Sequence, residues 1–383
     1  MQPDPHRLPA YLADARGRTL DELRRIVPDD TERTGGLYAL MLDYPMREAK
    51  GLRPALAMAT CRALGGRLDQ VLPTAAVLEL FHNAFLVHDD IEDGSELRRG
   101  APTLHREHGV PIAINTGDGM LALALQPLLQ NMAGIGLGRA LRVLEVVARM
   151  ARESAEGQAL ELAWIRDARW DLSRRDYLRM VWKKTAWYSF IAPVTVGALC
   201  AGADATQVRR LQHAAGLLGL AFQIQDDLLN LQDDTGGYGK EAAGDLWEGK
   251  RTLILLHALA GATPAEREEA TRRLDRPRPG QVPVGVATRL EALVAAGELT
   301  PRGRDQLRAE LGGGDGAEKR PEDVDWLLRL IARTGAMQAA RADAVVRAEK
   351  AGRLLRGCSA WLPDSVHRAV IEDLVAYVTA RAR

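Results

Sequence analysis

Two long apolar runs in this chain each end in a pair of adjacent aspartates. The first runs Val77-Leu-Glu-Leu-Phe81-His82-Asn-Ala84-Phe85-Leu-Val-His-Asp89-Asp90-Ile-Glu-Asp93, and the second Phe222-Gln223-Ile-Gln-Asp226-Asp227-Leu-Leu-Asn230. On a helix, Asp89 and Asp93 stand at i, i+4 and Asp90 and Asp93 at i, i+3, so they share a face. Three carboxylates so placed repel one another unless a positive charge sits among them. In the second run Asn230 takes the third place, with an amide oxygen still able to coordinate. Carboxylates at this spacing suit a hard cation, Mg²⁺ above all, which keeps waters and takes substrate phosphates as its other ligands. An EF-hand does not fit: counted from Asp89, the loop has Ile91 at its third position and Gly100 where the bidentate glutamate belongs. One such patch is as easily an acidic helix end facing solvent. Two, each followed by a basic set, point to metal.

The basic sets are Arg98-Arg99-Gly100 after the first patch, and Lys240 then Asp245-Leu-Trp-Glu-Gly-Lys250-Arg251 after the second. Lys50-Gly51-Leu-Arg53 lies upstream, and Lys184-Thr185 with Tyr188 lies between the patches. Each alone reads as a solvated surface charge. Beside two metal-binding patches they read as clamps for more than one diphosphate, with Arg suited by its planar fork and Lys as a point charge.

The periodicity is helical throughout. Leu20, Leu23, Ile26 and Val27 recur at helical spacing. Ser173 with Asp176 forms a capping-box start before Leu178, Val181 and Trp182. Another long pattern begins at Asp204 and runs through Leu211, Leu217, Leu218, Leu220 and Phe222. Residues 326–355 read as one helix and 364–383 as the last. Ten or more helices are expected and no strand. The length of 383 residues would suit two domains, or one large helical one. Local breakers, Arg276-Pro-Arg-Pro-Gly-Gln-Val-Pro283 and Gly312-Gly-Gly-Asp-Gly316, mark a charged segment at 276–325. We expect one all-α domain over 1–383, with that segment as a surface insertion.

Lysine plus arginine and aspartate plus glutamate both total 51, and this zero balance argues against a nucleic-acid binder. Residues 119–138 and 186–203 are uncharged and approach membrane-spanning length. Gln126, Pro127, Gln130 and Asn131 interrupt the first, and Ser189, Pro193 and Thr195 the second. Buried helices are expected instead, and no integral membrane segment. Cys61, Cys200 and Cys358 give no disulfide framework and no zinc spacing. With an N-terminus lacking an apolar export core and a C-terminus lacking a lipidation box, they suggest the cytoplasm.

The stretches HDDIEDGSELRRG and FQIQDDLLN…GDLWEGKRT resemble the first and second Asp-rich motifs of the trans-isoprenyl diphosphate synthases, the polyprenyl synthetase family. The first is most similar to geranylgeranyl diphosphate synthases. The resemblance runs from about residue 50 to the C-terminus, apart from 276–325. It implies a single large helical bundle around a deep central cavity, usually a homodimer. It also implies Mg²⁺-dependent joining of isopentenyl diphosphate to an allylic prenyl diphosphate, with three ions per site. On that likeness Asp89, Asp90 and Asp93 would hold metal bound to the allylic diphosphate, and Asp226 and Asp227, with Asn230 beside them, would hold metal across the cavity. Arg98, Lys184 and Lys240 would grip the same diphosphate. Lys50, Arg53, His82 and Arg99 would bind isopentenyl diphosphate. His82 lies two turns before Asp89 on the same helix face. Thr185, Tyr188 and Gln223 would lie near the reacting carbons, while Asp245, Lys250 and Arg251 would act in closure or support, Lys250 on substrate. Gly51 departs from the family, many of whose members carry an additional Arg there, and Asn230 departs from the usual last Asp.

The same motifs leave other readings: a farnesyl diphosphate synthase, a class I terpene cyclase, or an inactive partner subunit. A cyclase has no use for a second diphosphate clamp. Product length depends on where a growing chain is stopped. It would run from Asp89 toward the N-terminus of its helix, past Phe85, Ala84 and Phe81. Phe85 lies about 6 Å and Phe81 about 12 Å along the axis, roughly one isoprene unit apart. Family members making the C15 product often carry aromatics near the fourth and fifth positions before the motif. Here only the fourth is aromatic, so a C20 product is expected.

Overall fold

The computed structural model describes residues 4–29, 34–231, 243–278, 284–312 and 318–380. These form an all-α bundle, as the periodicity leads one to expect. Its long members are Leu68–Glu92, Leu137–Arg166, Ala205–Asn230 and Ala336–Arg356. Helix starts follow side-chain chemistry. Ser173 and Asp176 make the expected capping box, and Asp204 accepts from the amides of Thr206 and Gln207.

Leu68–Glu92 is buried on nearly every side, from Val71 through Val77 and Leu80 to Val87. A helix apolar all round belongs inside a core or a membrane. Here neighbouring helices enclose it. By length and composition it could cross a bilayer, and so could Val110–Ile135. The latter is broken into the helices Val110–Leu123, Leu125–Gln130 and Met132–Ile135. Residues 192–200 of the other uncharged stretch are fully enclosed.

Three expectations need correction. A two-stranded ladder, Leu97–Arg98 with Ala101–Pro102, follows the first acidic patch. Its two-residue loop has Arg99 at φ 55 and Gly100 at φ 76, the paired left-handed geometry that tight hairpins need. The 326–355 pattern is two helices, Pro321–Thr334 and Ala336–Arg356, divided where Gly335 turns left-handed at φ 67. The charged insertion is narrower than 276–325. The backbone N–H of Lys319 donates to Pro277 O at 2.8 Å, closing its two ends. Asp323 is buried and accepts from Arg273 and Arg276, so both flanks belong to the core structure. Between them lie the helices Val284–Ala295 and Pro301–Gly312.

Candidate active site

The ends of Leu68–Glu92 and Ala205–Asn230 bring the two acidic patches to one cavity of about 150 Å³. Asp89, Asp226, Asp227, Asn230, Asp245, Lys184 and Lys250 all line it. Lys184, Thr185 and Tyr188 sit on a π-helical segment, Trp182–Ile191, the kind of irregularity that re-aims side chains at functional sites. Helix Leu137–Arg166 packs on that segment through Gly157, where a Cβ would meet the Lys184 backbone N at 2.3 Å. Only glycine permits the approach, and it sets where Lys184 emerges.

Within each aspartate pair the two carboxylates differ. Asp90 is fully buried, accepting the Tyr44 hydroxyl at 2.7 Å and the Arg98 guanidinium at 2.9 Å. Asp227 is likewise buried and accepts from the Tyr177 hydroxyl at 2.7 Å and from Gln223 at 2.8 Å. Burial and the neighbouring Asp245 push the Asp227 carboxyl well above its ordinary range. The first members, Asp89 and Asp226, are only half-buried and face the cavity. The structure therefore places Asp90 away from an open metal position, because its oxygens are committed to Tyr44 and Arg98. Arg98 for its part is spent largely on Asp90, although it reaches 4.0 Å from Asp89.

Cations from the opposite wall meet the first patch. Lys184 Nζ lies 3.2 Å from Asp89 and also pairs with Glu161. Lys250 Nζ lies 3.0 Å from Asp93, 2.7 Å from Glu248 and 4.0 Å from Asp245. Burial and the nearby Asp89 charge push Asp93 up to about 7. The Asn230 amide oxygen accepts the Asp245 N–H at 3.0 Å, so it holds the returning chain at Asp245. Lys240 lies outside the described residues.

A second cavity, about 320 Å³, adjoins the first and is basic. Lys50, Arg53, His82, Arg98, Arg99 and Tyr377 are among its lining residues. Arg53 donates to Ser189 Oγ at 2.8 Å and lies over the Tyr188 ring at 4.5 Å. His82 also stacks on the Tyr188 ring, with centroids 5.7 Å apart. Burial, Arg53 and Arg99 hold its pKa well below the usual histidine value, so it is neutral. Arg53 Nε and His82 Nδ1 are buried without a hydrogen-bond partner. Two orphaned polar atoms beside three cationic side chains fit an anionic ligand. Lys50 is exposed at the rim, bonded to the Tyr377 hydroxyl at 2.8 Å. Gly51 stands at φ 60, and a Cβ there would meet the Arg16 Cβ at 2.9 Å, so a side chain here would be strained and crowded.

The two cavities share Leu86, Arg98, Thr185, Tyr188, Gln223 and Asp226. Thr185 donates to Gln223 at 2.9 Å across this boundary. Phe85 packs edge-on to Tyr188 at 5.9 Å and to Phe81 at 6.0 Å, while Ala84 is fully buried. None of these three lines either cavity.

Metal fits this donor set in a particular way. Among the described residues no three His, Cys, Asp or Glu side chains converge on one point. An ion here would have at most two protein carboxylates, leaving positions for water and phosphate oxygen, as Mg²⁺ prefers.

Sequence reasoning missed Tyr44, Tyr177 and Glu161. Glu161 had a signal: it stands on the buried stripe Val143, Val147, Met150, Ser154, Gly157, Glu161, Trp164. A carboxylate at a core position demands a partner. The tyrosines gave none, since their partners lie 46 and 50 residues away.

Residues 36–283 match the Polyprenyl synthetase family. The geranylgeranyl diphosphate synthase of Sulfolobus acidocaldarius is 36% identical over 210 residues, 55% of this chain and 63% of the relative. The match thus spans less than two thirds of that relative's length. The octaprenyl diphosphate synthase of Escherichia coli is 34% identical over 282 residues, 74% of this chain and 83% of its own. Among solved structures, a geranylgeranyl pyrophosphate synthase from Corynebacterium glutamicum, complexed with isoprenyl diphosphate and magnesium, superimposes with a TM-score of 0.73. It is 26% identical, covering 98% of this chain and 99% of that one. The chain belongs to the polyprenyl synthetase family of prenyl-transferring enzymes.

Proposed function

We propose that the chain joins isopentenyl diphosphate to an allylic prenyl diphosphate, head to tail, with Mg²⁺, and that its main product is C20. The observation that carries this is the pair of cavities with a common wall. One is lined by carboxylates and lysines, the other by arginines and a neutral histidine, and they meet at Thr185, Tyr188 and Gln223. A terpene cyclase needs only the first. The complete carboxylate set argues against an inactive partner subunit.

Bound Mg²⁺ would neutralise charge on the leaving diphosphate. Asp89, Asp93 and Asp226 would hold it, and three ions per site is part of the proposal. Asp90 and Asp227 brace their neighbours instead. Lys184 and Lys250, aimed at the same cavity, stabilise negative charge as the C–O bond breaks. Lys50, Arg53, His82 and Arg99 hold the second diphosphate so that its double bond attacks the allylic carbon. The released diphosphate takes the proton lost from the carbon beside the resulting cation, whose electron pair forms the new double bond.

The helices at 110–141 leave Val110, Ile114, Leu125, Leu129, Leu137 and Leu141 exposed in i, i+4 pairs. That stripe supports a homodimer. Three buried free thiols suit a reducing compartment, and a cytoplasmic location completes the reading. Purified chain given each allylic starter, isopentenyl diphosphate and Mg²⁺ tests it. Elongated diphosphates are expected. Hydrocarbon alone would mean a cyclase, and no product a partner subunit.

A further inference from the structure

Resting on that reading, we infer that Lys319, beyond the family-matched residues, is a positioning residue that holds the Asp245–Lys250 turn against the first cavity. The turn needs holding. Its helix, Gly244–Glu248, is five residues long, entered through Ala243 at φ 54 and left through Gly249 at φ 66. A helix so short leaves its last carbonyls without intrahelical partners. Yet this turn delivers Asp245 and Lys250, and Lys250 makes the 3.0 Å contact with Asp93 on the opposite wall.

Lys319 supplies a donor to Trp247 O and a second one to Leu246 O, which also accepts the Gly249 N–H at 3.2 Å. It is 1% exposed. Its Nζ reaches Leu246 O at 2.7 Å, Trp247 O at 2.9 Å and Leu274 O at 3.0 Å. Three backbone acceptors converge on it, matching the three N–H groups of the ammonium form, while burial lowers its pKa to about 7. Two belong to the short helix, and the third is the last residue of the helix Pro264–Leu274. The turn is pressed onto that junction: a Cβ on Gly249 would stand 2.8 Å from Leu274 O and 3.6 Å from Lys319 Nζ. Arg251 fastens the far side, donating to Gly249 O at 2.7 Å and to Asp275 at 3.2 Å while lying 4.0 Å from the Trp170 ring.

The position of Lys319 is itself fixed. Its own N–H is tied to Pro277 O, and Asp323 receives Arg273 and Arg276 just beyond. Without the amine, Leu246 O would keep only the Gly249 N–H at 3.2 Å, and the Trp247 and Leu274 carbonyls beside it would lose the donor that holds them together. The turn would have to withdraw, and Lys250 and Asp245 would move with it. A displacement of about 1 Å at such a group is enough to cost on the order of 10²-fold in rate.

The test uses the full chain with Lys319→Met, compared with the unaltered protein well below either melting temperature. Steady-state kinetics is paired with calorimetric binding of inorganic diphosphate in Mg²⁺. We expect kcat to fall tenfold or more and diphosphate to bind more weakly, with KM for isopentenyl diphosphate within twofold. A lower melting temperature with unchanged kcat and diphosphate affinity would overturn the inference, because a merely stabilising lysine does that. Gly249→Ala attacks the same contact while keeping the amine, and the same losses are expected. If Lys319→Met does not fold, unchanged constants in Gly249→Ala overturn the inference alone. Absence of prenyl transfer by the unaltered chain would instead sink the proposed function, and diphosphate binding would still report on the turn.

Discussion

Tyr177 donates its hydroxyl to Asp227 at 2.7 Å in the interior, and Tyr44 does the same for Asp90 at the same distance. Each aspartate pair thus has a buried member fixed by a tyrosine and a half-buried member turned to the cavity, whose wall Asp227 also reaches. The two members should therefore fail differently when removed.

Asp89→Ala or Asp226→Ala should lower kcat by about 10²-fold or more, the scale of lost electrostatic stabilisation, with little change in melting temperature. Asp90→Ala strands the buried Arg98 charge and should destabilise by about 3–5 kcal/mol. Kinetics and calorimetry on all three variants check this. Equal melting temperatures for Asp89→Ala and Asp90→Ala would count against the division.

Arg53→Ala should raise KM for isopentenyl diphosphate more than that for the allylic substrate, since Arg53 lines only the basic cavity of the two. Arg98→Ala should behave like Asp90→Ala, with loss of stability foremost. Varying each substrate separately gives the split.

Phe85→Ala should lengthen the main product by at least one isoprene unit, because Phe85 stands between Tyr188 and Phe81 on the projected path. If Phe81 is the floor, Phe81→Ala does so instead. Unchanged product lengths in both, with stability lower by about 3–5 kcal/mol, would mean that they only pack.

Leu137→Glu with Leu141→Glu places charge on the two residues exposed at 61% and 53%. If the proposed homodimer forms through this face, light scattering should find a dimer for the unaltered chain and a monomer for the variant.

Burial pushes the Cys61 and Cys200 thiols up to about 12. Native protein at pH 8 should resist thiol reagents and react only on unfolding. The sign for stability follows: above about pH 8.5 the unfolded chain loses these protons while the folded one keeps them. Stability should fall as pH climbs from there toward 12, and Cys61→Ala with Cys200→Ala should flatten that slope.

The helical class and both acidic patches were legible because they rest on spacing within one helix. Asp89 with Asp93, and Asp226 with Asn230, needed only the 3.6-residue repeat to be placed on one helix face. Which member of each pair faces inward was not legible, because it depends on tyrosines some fifty positions distant. Lys319 was hidden for the same reason: it reads as one more charge in a charged segment until the chain returns to Pro277. The break at Gly335 and the hairpin at Arg99–Gly100 carried glycine signals that helical periodicity on either side overrode.

That hairpin has a mechanical side. Arg98 and Arg99 are adjacent, yet Arg98 goes inward to Asp90 while Arg99 Nη1 reaches Tyr44 O at 2.5 Å and lines the basic cavity. One tight bend therefore sends neighbouring guanidiniums to different anchors, Asp90 and the Tyr44 carbonyl, while both side chains line the basic cavity. Any strain in the loop, as from a β-branched residue at Gly100, is transmitted to both chambers together, and under the proposed function starter and extender recognition would be tied to each other at this point of the chain.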